Sequence, residues 1–278
     1  MPLKLMYITN SEDVAHIAEE AGVDRIFVDM EYIGKTDRQG GMDTVQSRHT
    51  ADDVRRLAQC LNKAELFVRV NPIHEKTDEY NSSKEEIDEA IEAGVLMLPY
   101  FKTAEEVQTF VKYVNGRAKT VLLVETPEAA AIAEDLVQIP GIDEMFIGLN
   151  DLSLGYGKNF MFELLLDGTV EELCLKFRKG GIPYGFGGIA SLGKGMLPSE
   201  YVIKEHYRLG SACAILSRSF CRTGQVTDLK EIQKIFEIEL PKIRELEEEC
   251  RVHSEYFWKN RQQVETKIRQ ICECEDAK

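Results

Sequence analysis

Apolar runs of six to nine residues recur along the chain, and each is followed by a stretch with apolar residues at helical spacing. The runs occupy residues 3–9, 25–30, 65–71, 95–101, 120–126, 144–150, 183–189 and 212–220. Between the first two lie Val14, Ile17, Ala18 and Ala21; before the third lie Val54, Leu57, Ala58 and Leu61. Both sets mark one face of an amphipathic helix. Eight strands alternating strictly with helices predict an α/β protein, a closed parallel (β/α)8 barrel over residues 1–225.

Punctuation agrees with this reading. Gly22, Gly94, Gly116, Gly141, Gly181 and Gly210 each fall between a helix and the next strand, where a left-handed residue ends the helix. Thr50 with Asp53, and Thr103 with Glu106, predict capped helix starts. The strand-to-helix connections 31–49, 72–83 and 151–168 are long, while the returns are short. Long loops on one face predict the functional site at the C-terminal ends of the strands.

Residues 226–278 read as the last barrel helix and a helical extension. Ile232, Ile235, Phe236, Ile243 and Leu246 form one stripe, with a kink expected at Pro241. Val264, Ile268 and Ile271 form a second. The surplus stripe is expected to pack on the barrel or on a neighbouring subunit, which favours a homo-oligomer.

Charge narrows the partners. A net charge of −14 leaves no basic face for nucleic-acid phosphates or an anionic membrane. An anionic substrate would need a local metal, arginine or backbone N–H site. Seven cysteines without framework spacing point to reduced thiols and a cytoplasmic protein. Cys272 and Cys274 read as incidental, and the start of the chain shows no signal peptide.

The chemistry collects at strand ends. The fifth run stops at Glu125 and the sixth at Asp151. Adjacent strands lie about 4.8 Å apart, so the two carboxylates meet at the barrel mouth. They either cap the helices that follow or share a divalent metal: Mg²⁺ first, Mn²⁺ or Co²⁺ otherwise. Gly148, Asn150 and Asp151 form a turn whose N–H groups can hold a carboxylate, or a plain tight turn. Arg69 sits inside an apolar strand, facing a developing enolate oxygen or bonded to a core acid such as Glu31. Asp29 and Glu31 alternate with apolar residues and could reach the same mouth.

These segments, with Glu125-Thr-Pro-Glu-Ala and the stretch from Pro140 to Ser153, resemble the HpcH/HpaI aldolase/citrate lyase β family of pyruvate-binding, metal-dependent barrels. The resemblance runs from about Ile17 to Gly157. It implies that Glu125 and Asp151 ligate the metal. A 2-oxo acid would chelate that metal, with its carboxylate on the N–H groups of Asn150 and Asp151. Arg69 would stabilise the enolate, and an aldehyde would add or leave. The family usually has a histidine after the acid that matches Glu31; here it is Tyr32. Leu123 stands where a glutamine is common, and Gly148-Leu-Asn-Asp151 replaces Gly-Pro-Ala-Asp.

Something must replace that histidine. His49 and Tyr32 are the candidates for proton transfer, with His74 behind them; each is otherwise an ordinary loop residue. Lys35, Arg38 and Arg48 could meet a phosphate or sugar acid on the substrate, or form a solvated loop. A phosphate could also lie at Gly185–Gly188 and Ser217–Ser219. Two other readings stay open. One is an acyl-CoA lyase of the citrate-lyase branch. The other is a non-catalytic barrel that binds or scaffolds.

Overall fold

The computed structural model describes residues 1–35, 47, 49–221, 225–253 and 255–276. Arg38 and Arg48 lie outside the described residues. All eight expected strands form and close in chain order: β1 (Lys4–Ile8), β2 (Arg25–Asp29), β3 (Glu65–Arg69), β4 (Val95–Leu98), β5 (Lys119–Val124), β6 (Glu144–Ile147), β7 (Tyr184–Ile189) and β8 (Cys213–Leu216). Each neighbouring pair is parallel, including β1 with β8. Most strands end earlier than their apolar runs, because the backbone leaves the ladder to build the rim. Tyr100, just past β4, has φ +47°.

The register sorts the interior into layers. Between β2 and β3, Arg25 pairs with Glu65, Phe27 with Phe67 and Asp29 with Arg69. Side chains two apart share a face of a strand, so these three pairs stack along the barrel axis. The floor is charged: the Arg25 fork donates to both oxygens of Glu144 at 2.7 and 3.0 Å, and its Nε donates to Glu65 at 2.9 Å. The middle is apolar, with Met6, Phe27, Phe67, Met97, Leu123 and Phe146 all buried. Asp29 and Arg69 close the top.

The helices described are α1 (Glu12–Ala21), α2 (Ala51–Cys60), α3 (Ser83–Ala90), α4 (Ala104–Val114), α5 (Pro127–Ala131), α6 (Ala133–Leu136), α7 (Leu149–Gly155), α8 (Glu163–Leu166), α9 (Thr169–Lys179), α10 (Ser199–Leu209), α11 (Leu229–Val252) and α12 (Tyr256–Asp276). The expected capping boxes at Thr50 and Thr103 both close, and Ser82 with Glu85 forms another. The six punctuating glycines all take positive φ, from 69° to 101°. Two expectations change. Residues 151–168 are not an open loop, since α7 extends into them as far as Gly155 and α8 folds within them. Helix α11 also runs through Pro241 without a break. The proline ring lies on the exposed face, where water can satisfy the carbonyl it releases, while Phe236, Leu240 and Ile243 hold the opposite face on the core.

The tail packs on its own barrel. Helix α11 lies against α1 and α10, and α12 against α10 and α8. Val264 and Ile268 are buried, and Asn260 Nδ2 donates to Glu205 at 2.8 Å. The stripes that prompted the expectation of an oligomer are thus largely covered by this chain. Among the described residues, no helix is long and apolar enough to cross a membrane.

Candidate active site

Glu125 follows the last residue of β5, and Gly148 follows the last residue of β6, with Val124 and Ile147 paired between them. The Glu125 side chain leans across that step. A Cβ at Gly148 would lie 2.7 Å from Glu125 Cβ and 2.8 Å from its Oε2. The missing side chain is therefore what admits this carboxylate. Its other oxygen, Oε1, accepts the Tyr100 N–H at 3.0 Å. Nothing in the sequence marks Tyr100, since its contribution is a backbone N–H aimed by a left-handed turn.

Gly148 is also the N-cap of α7, and it gives that helix no side-chain cap. Asp151 stands in the first turn, with Asn150 Nδ2 donating to Asp151 Oδ1 at 3.3 Å. Gly155, at the other end, lets α7 pack directly on Pro127, because a Cβ there would meet Pro127 Cδ at 2.6 Å. Two glycines thus fasten the Asp151 helix to the Glu125 segment. Glu125 and Asp151 are both buried.

The donor set suits a hard cation. It consists of carboxylate oxygens, and among the described residues no group of three or more His, Cys, Asp or Glu side chains could hold an ion. Two acids would leave most of an octahedron to water and substrate oxygens, as Mg²⁺ tolerates.

Arg69 lies within electrostatic reach of Glu125. Its Nε donates to Asp29 Oδ1 at 2.9 Å and its Nη2 to Asp29 Oδ2 at 2.8 Å, while Nη1 lies 3.3 Å from Glu31 Oε2. Burial pulls the guanidinium down, but Asp29, Glu31 and Glu125 outweigh it and hold Arg69 firmly cationic. Burial pushes the Asp29 carboxyl up, and Arg69 and Lys35 reverse this and keep it well below the usual carboxylate range. Of the two alternatives for Arg69, the structure shows the bonding to core acids, and the guanidinium also feels the charge of Glu125.

The proton-transfer candidates divide. His49 Nδ1 accepts the Asp29 N–H at 3.0 Å, so the neutral ring carries its proton on Nε2. Burial lowers its pKa against the pull of Asp29 and Asp53, with Lys35 adding to the lowering. In this pose His49 is a donor through Nε2, not a ready base. Tyr32 is half exposed, with its ring edge-on to Tyr80 at 6.2 Å. Burial and Glu86 raise its pKa, which keeps the phenol protonated and suits it to donation. His74 pins its own loop: Nδ1 lies 2.7 Å from the Pro72 carbonyl and Nε2 lies 2.8 Å from that of Asn81.

The residue that holds the β2 rim was not singled out in the sequence. Asn71 Oδ1 accepts the N–H groups of Tyr32 and Ile33, both at 2.9 Å. Its Nδ2 donates to the Met30 carbonyl at 3.2 Å and to Glu86 Oε1 at 2.8 Å. An asparagine two residues past the end of β3, closing an apolar run, was the available signal. Lys35 is also unlike its expectation as a substrate anchor, because it is buried against Asp29 and Glu31. Gly185 packs on Cys213 and Gly188 on Ser217.

A protein-family model, HpcH/HpaI aldolase/citrate lyase, matches residues 4–164. Among solved structures, the chain is similar to an HpcH/HpaI aldolase/citrate lyase family protein from Burkholderia cenocepacia J2315. That pair shares 16% identity with TM-score 0.61, covering 84% of this chain and 95% of that one. It is similar to an HpcH/HpaI aldolase from Desulfitobacterium hafniense DCB-2 at 14% identity and TM-score 0.59, covering 84% and 93%. It is also similar to a citrate lyase β subunit from M. tuberculosis, complexed with oxaloacetate and magnesium, at 14% identity and TM-score 0.51, covering 84% and 97%. At these identities the structures establish the shared fold. No curated protein matches the chain.

Proposed function

Because the chain belongs to the HpcH/HpaI aldolase/citrate lyase family, whose members make or break carbon–carbon bonds, we propose that it acts on a bond next to a pyruvate-type 2-oxo acid. The observation that carries this reading is the Glu125 carboxylate lying over Gly148, the cap of the helix that bears Asp151. Glu125 and Asp151 would hold the divalent cation, and the M. tuberculosis neighbour was solved with magnesium and a 2-oxo acid. When bound, the cation supplies Lewis acidity that makes the carbon next to the ketone acidic.

The remaining work falls to the chain. The N–H groups at the start of α7 offer a seat for the substrate carboxylate. Arg69 commits two N–H groups to Asp29 and keeps Nη1 within ion-pair distance of Glu31, and a guanidinium carries five N–H groups. An N–H not committed to Asp29 can meet the oxygen on which negative charge develops. In the cleavage direction, the substrate hydroxyl gives its proton to water at the mouth, the carbon–carbon bond breaks and an aldehyde departs. The electron pair stays with the 2-oxo acid until a proton returns to carbon. Tyr32, and His49 through Nε2, are the protonated groups near the β2 rim that could return it.

Exchange of pyruvate methyl protons with D₂O, followed by ¹H NMR, tests this without knowing the aldehyde. Exchange should stop in EDTA and return with Mg²⁺, Mn²⁺ or Co²⁺. Undiminished exchange after exhaustive chelation would remove the cation from the chemistry.

A further inference from the structure

Tyr100 is folded against its own preference. Among the described residues, twelve glycines take positive φ, and Asn115, the C-cap of α4, does so as well. Asparagine enters the left-handed region readily, but a bulky residue there is an outlier. Tyr100 nevertheless has φ +47°. Strain of this kind persists only where the surroundings over-determine the backbone.

The surroundings do so here. Before Tyr100, β4 ends at Leu98 and Pro99 is buried. After it, Phe101 is buried and its carbonyl accepts the Thr126 hydroxyl at 2.9 Å. The N–H groups of Lys102 and Thr103 both donate to Glu106 Oε2 at 2.8 Å, and Lys102 Nζ lies 3.1 Å from Glu128 Oε1. The turn after β4 is thus fastened to the segment 125–128 by contacts on either side of Glu125. Between those ties the left-handed backbone directs the Tyr100 N–H at Glu125 Oε1, 3.0 Å away. Oε1 is drawn toward β4. Oε2 lies over Gly148 past the end of β6, where the helix that bears Asp151 begins.

We propose that Tyr100 is a positioning residue that makes Glu125 present one oxygen, Oε2, to the cation. Ligation through one oxygen suits the near-ideal octahedron of Mg²⁺, and of Mn²⁺ in its place. Ca²⁺ is larger and also accepts a carboxylate through both oxygens, so it gains when that carboxylate can turn. The turn after β4 therefore favours the smaller ion. The proposal rests on the function proposed above, in that it takes Glu125 as a ligand.

The test titrates the full chain with Mn²⁺ and, separately, with Ca²⁺ by calorimetry. Tyr100→Asn and Tyr100→Val both remove the ring and whatever it touches, so the difference between them reports the backbone. Asparagine can keep the left-handed turn, whereas β-branched valine resists it. Tyr100→Asn should bind Mn²⁺ near wild-type strength. Tyr100→Val should bind it about 5- to 30-fold more weakly than Tyr100→Asn, because binding must first restore the turn. Its Ca²⁺ affinity should change less, so its preference for Mn²⁺ over Ca²⁺ should shrink; a merely destabilised protein would keep that preference. If Tyr100→Val fails to fold, Tyr100→Ala against Tyr100→Gly makes the same comparison. A folded Tyr100→Val protein that matches Tyr100→Asn in Mn²⁺ affinity would overturn the proposal, and so would equal weakening toward both ions. If the wild-type protein binds neither ion, the functional reading falls first and takes this role with it.

Discussion

Replacing Gly148 by alanine is the sharpest test of how the two acids are held. The backbone would accept the change, because φ at Gly148 is −83°, an ordinary value. Space would not. The new methyl would sit 2.7 Å from Glu125 Cβ and 3.1 Å from Leu123 Cδ1, whereas carbon atoms rest at about 3.5–4.0 Å. The β5–β6 ladder cannot spread to make room without breaking its pairing at Val124 and Ile147. Glu125 must rotate away and lose the Tyr100 N–H. Overpacking of this kind costs about 1–3 kcal/mol, so the variant should fold with a lowered midpoint. A displacement near 1 Å at a reacting centre costs about 100-fold, equivalent to about 2.7 kcal/mol. Mn²⁺ affinity in the presence of oxalate, measured by calorimetry, should weaken by that order, and pyruvate exchange should fall with it. Glu125→Gln sets the comparison. A folded Gly148→Ala protein that binds Mn²⁺ as tightly as wild type would refute the contact between Gly148 and Glu125 as the element that positions the ligand.

His206 makes stability depend on pH. Its ring stacks on Phe186 at 3.9 Å, and burial alone pulls its pKa from 6.5 to about 3. The folded protein keeps the ring neutral, while the unfolded chain takes up a proton below about pH 6.5. Stability should therefore be complete above that pH and fall as pH drops toward 3, by at most about 1.4 kcal/mol per unit. Urea titrations should show a flatter profile for His206→Phe, and an unchanged slope would discount the buried neutral ring. Asn71→Ala should destabilise the protein by about 1–3 kcal/mol, because it frees the rim N–H groups of Tyr32 and Ile33 and leaves the buried Glu86 with only the backbone N–H of residue 71 in place of two donors. A denaturation midpoint matching wild type would show that the rim is held elsewhere.

The barrel was legible because it is written in local periodicity. Eight apolar runs, six glycines at helix ends and two capping boxes are short-range signals, and each recurred in the structure. Glu125, Asp151 and Arg69 could be singled out for the same reason: a charge that ends or interrupts a buried strand is visible without knowing its neighbours. What those charges touch was less visible. Arg25 and Arg69 are both strand arginines that meet acids on other strands, yet Arg25 closes the barrel floor with Glu65 and Glu144. Which end of the strand each occupies, combined with closure of the sheet, separates a floor plug from a group at the mouth.

Several features therefore belong to the tertiary structure alone. Tyr100 contributes a backbone N–H, Gly148 contributes an absence, and Lys35 contributes charge across a turn to two acids also held by a neighbouring strand. The first two leave no local pattern because they depend on how the chain closes around the barrel, and the Lys35 contact depends on how the turn after β2 folds back. By itself the sequence determined the elements, their order and which residues are chemically unusual. Folding decided their partners, since hydrogen bonds and buried charges act over a few ångströms of space, in most cases between residues that lie tens of positions apart along the chain.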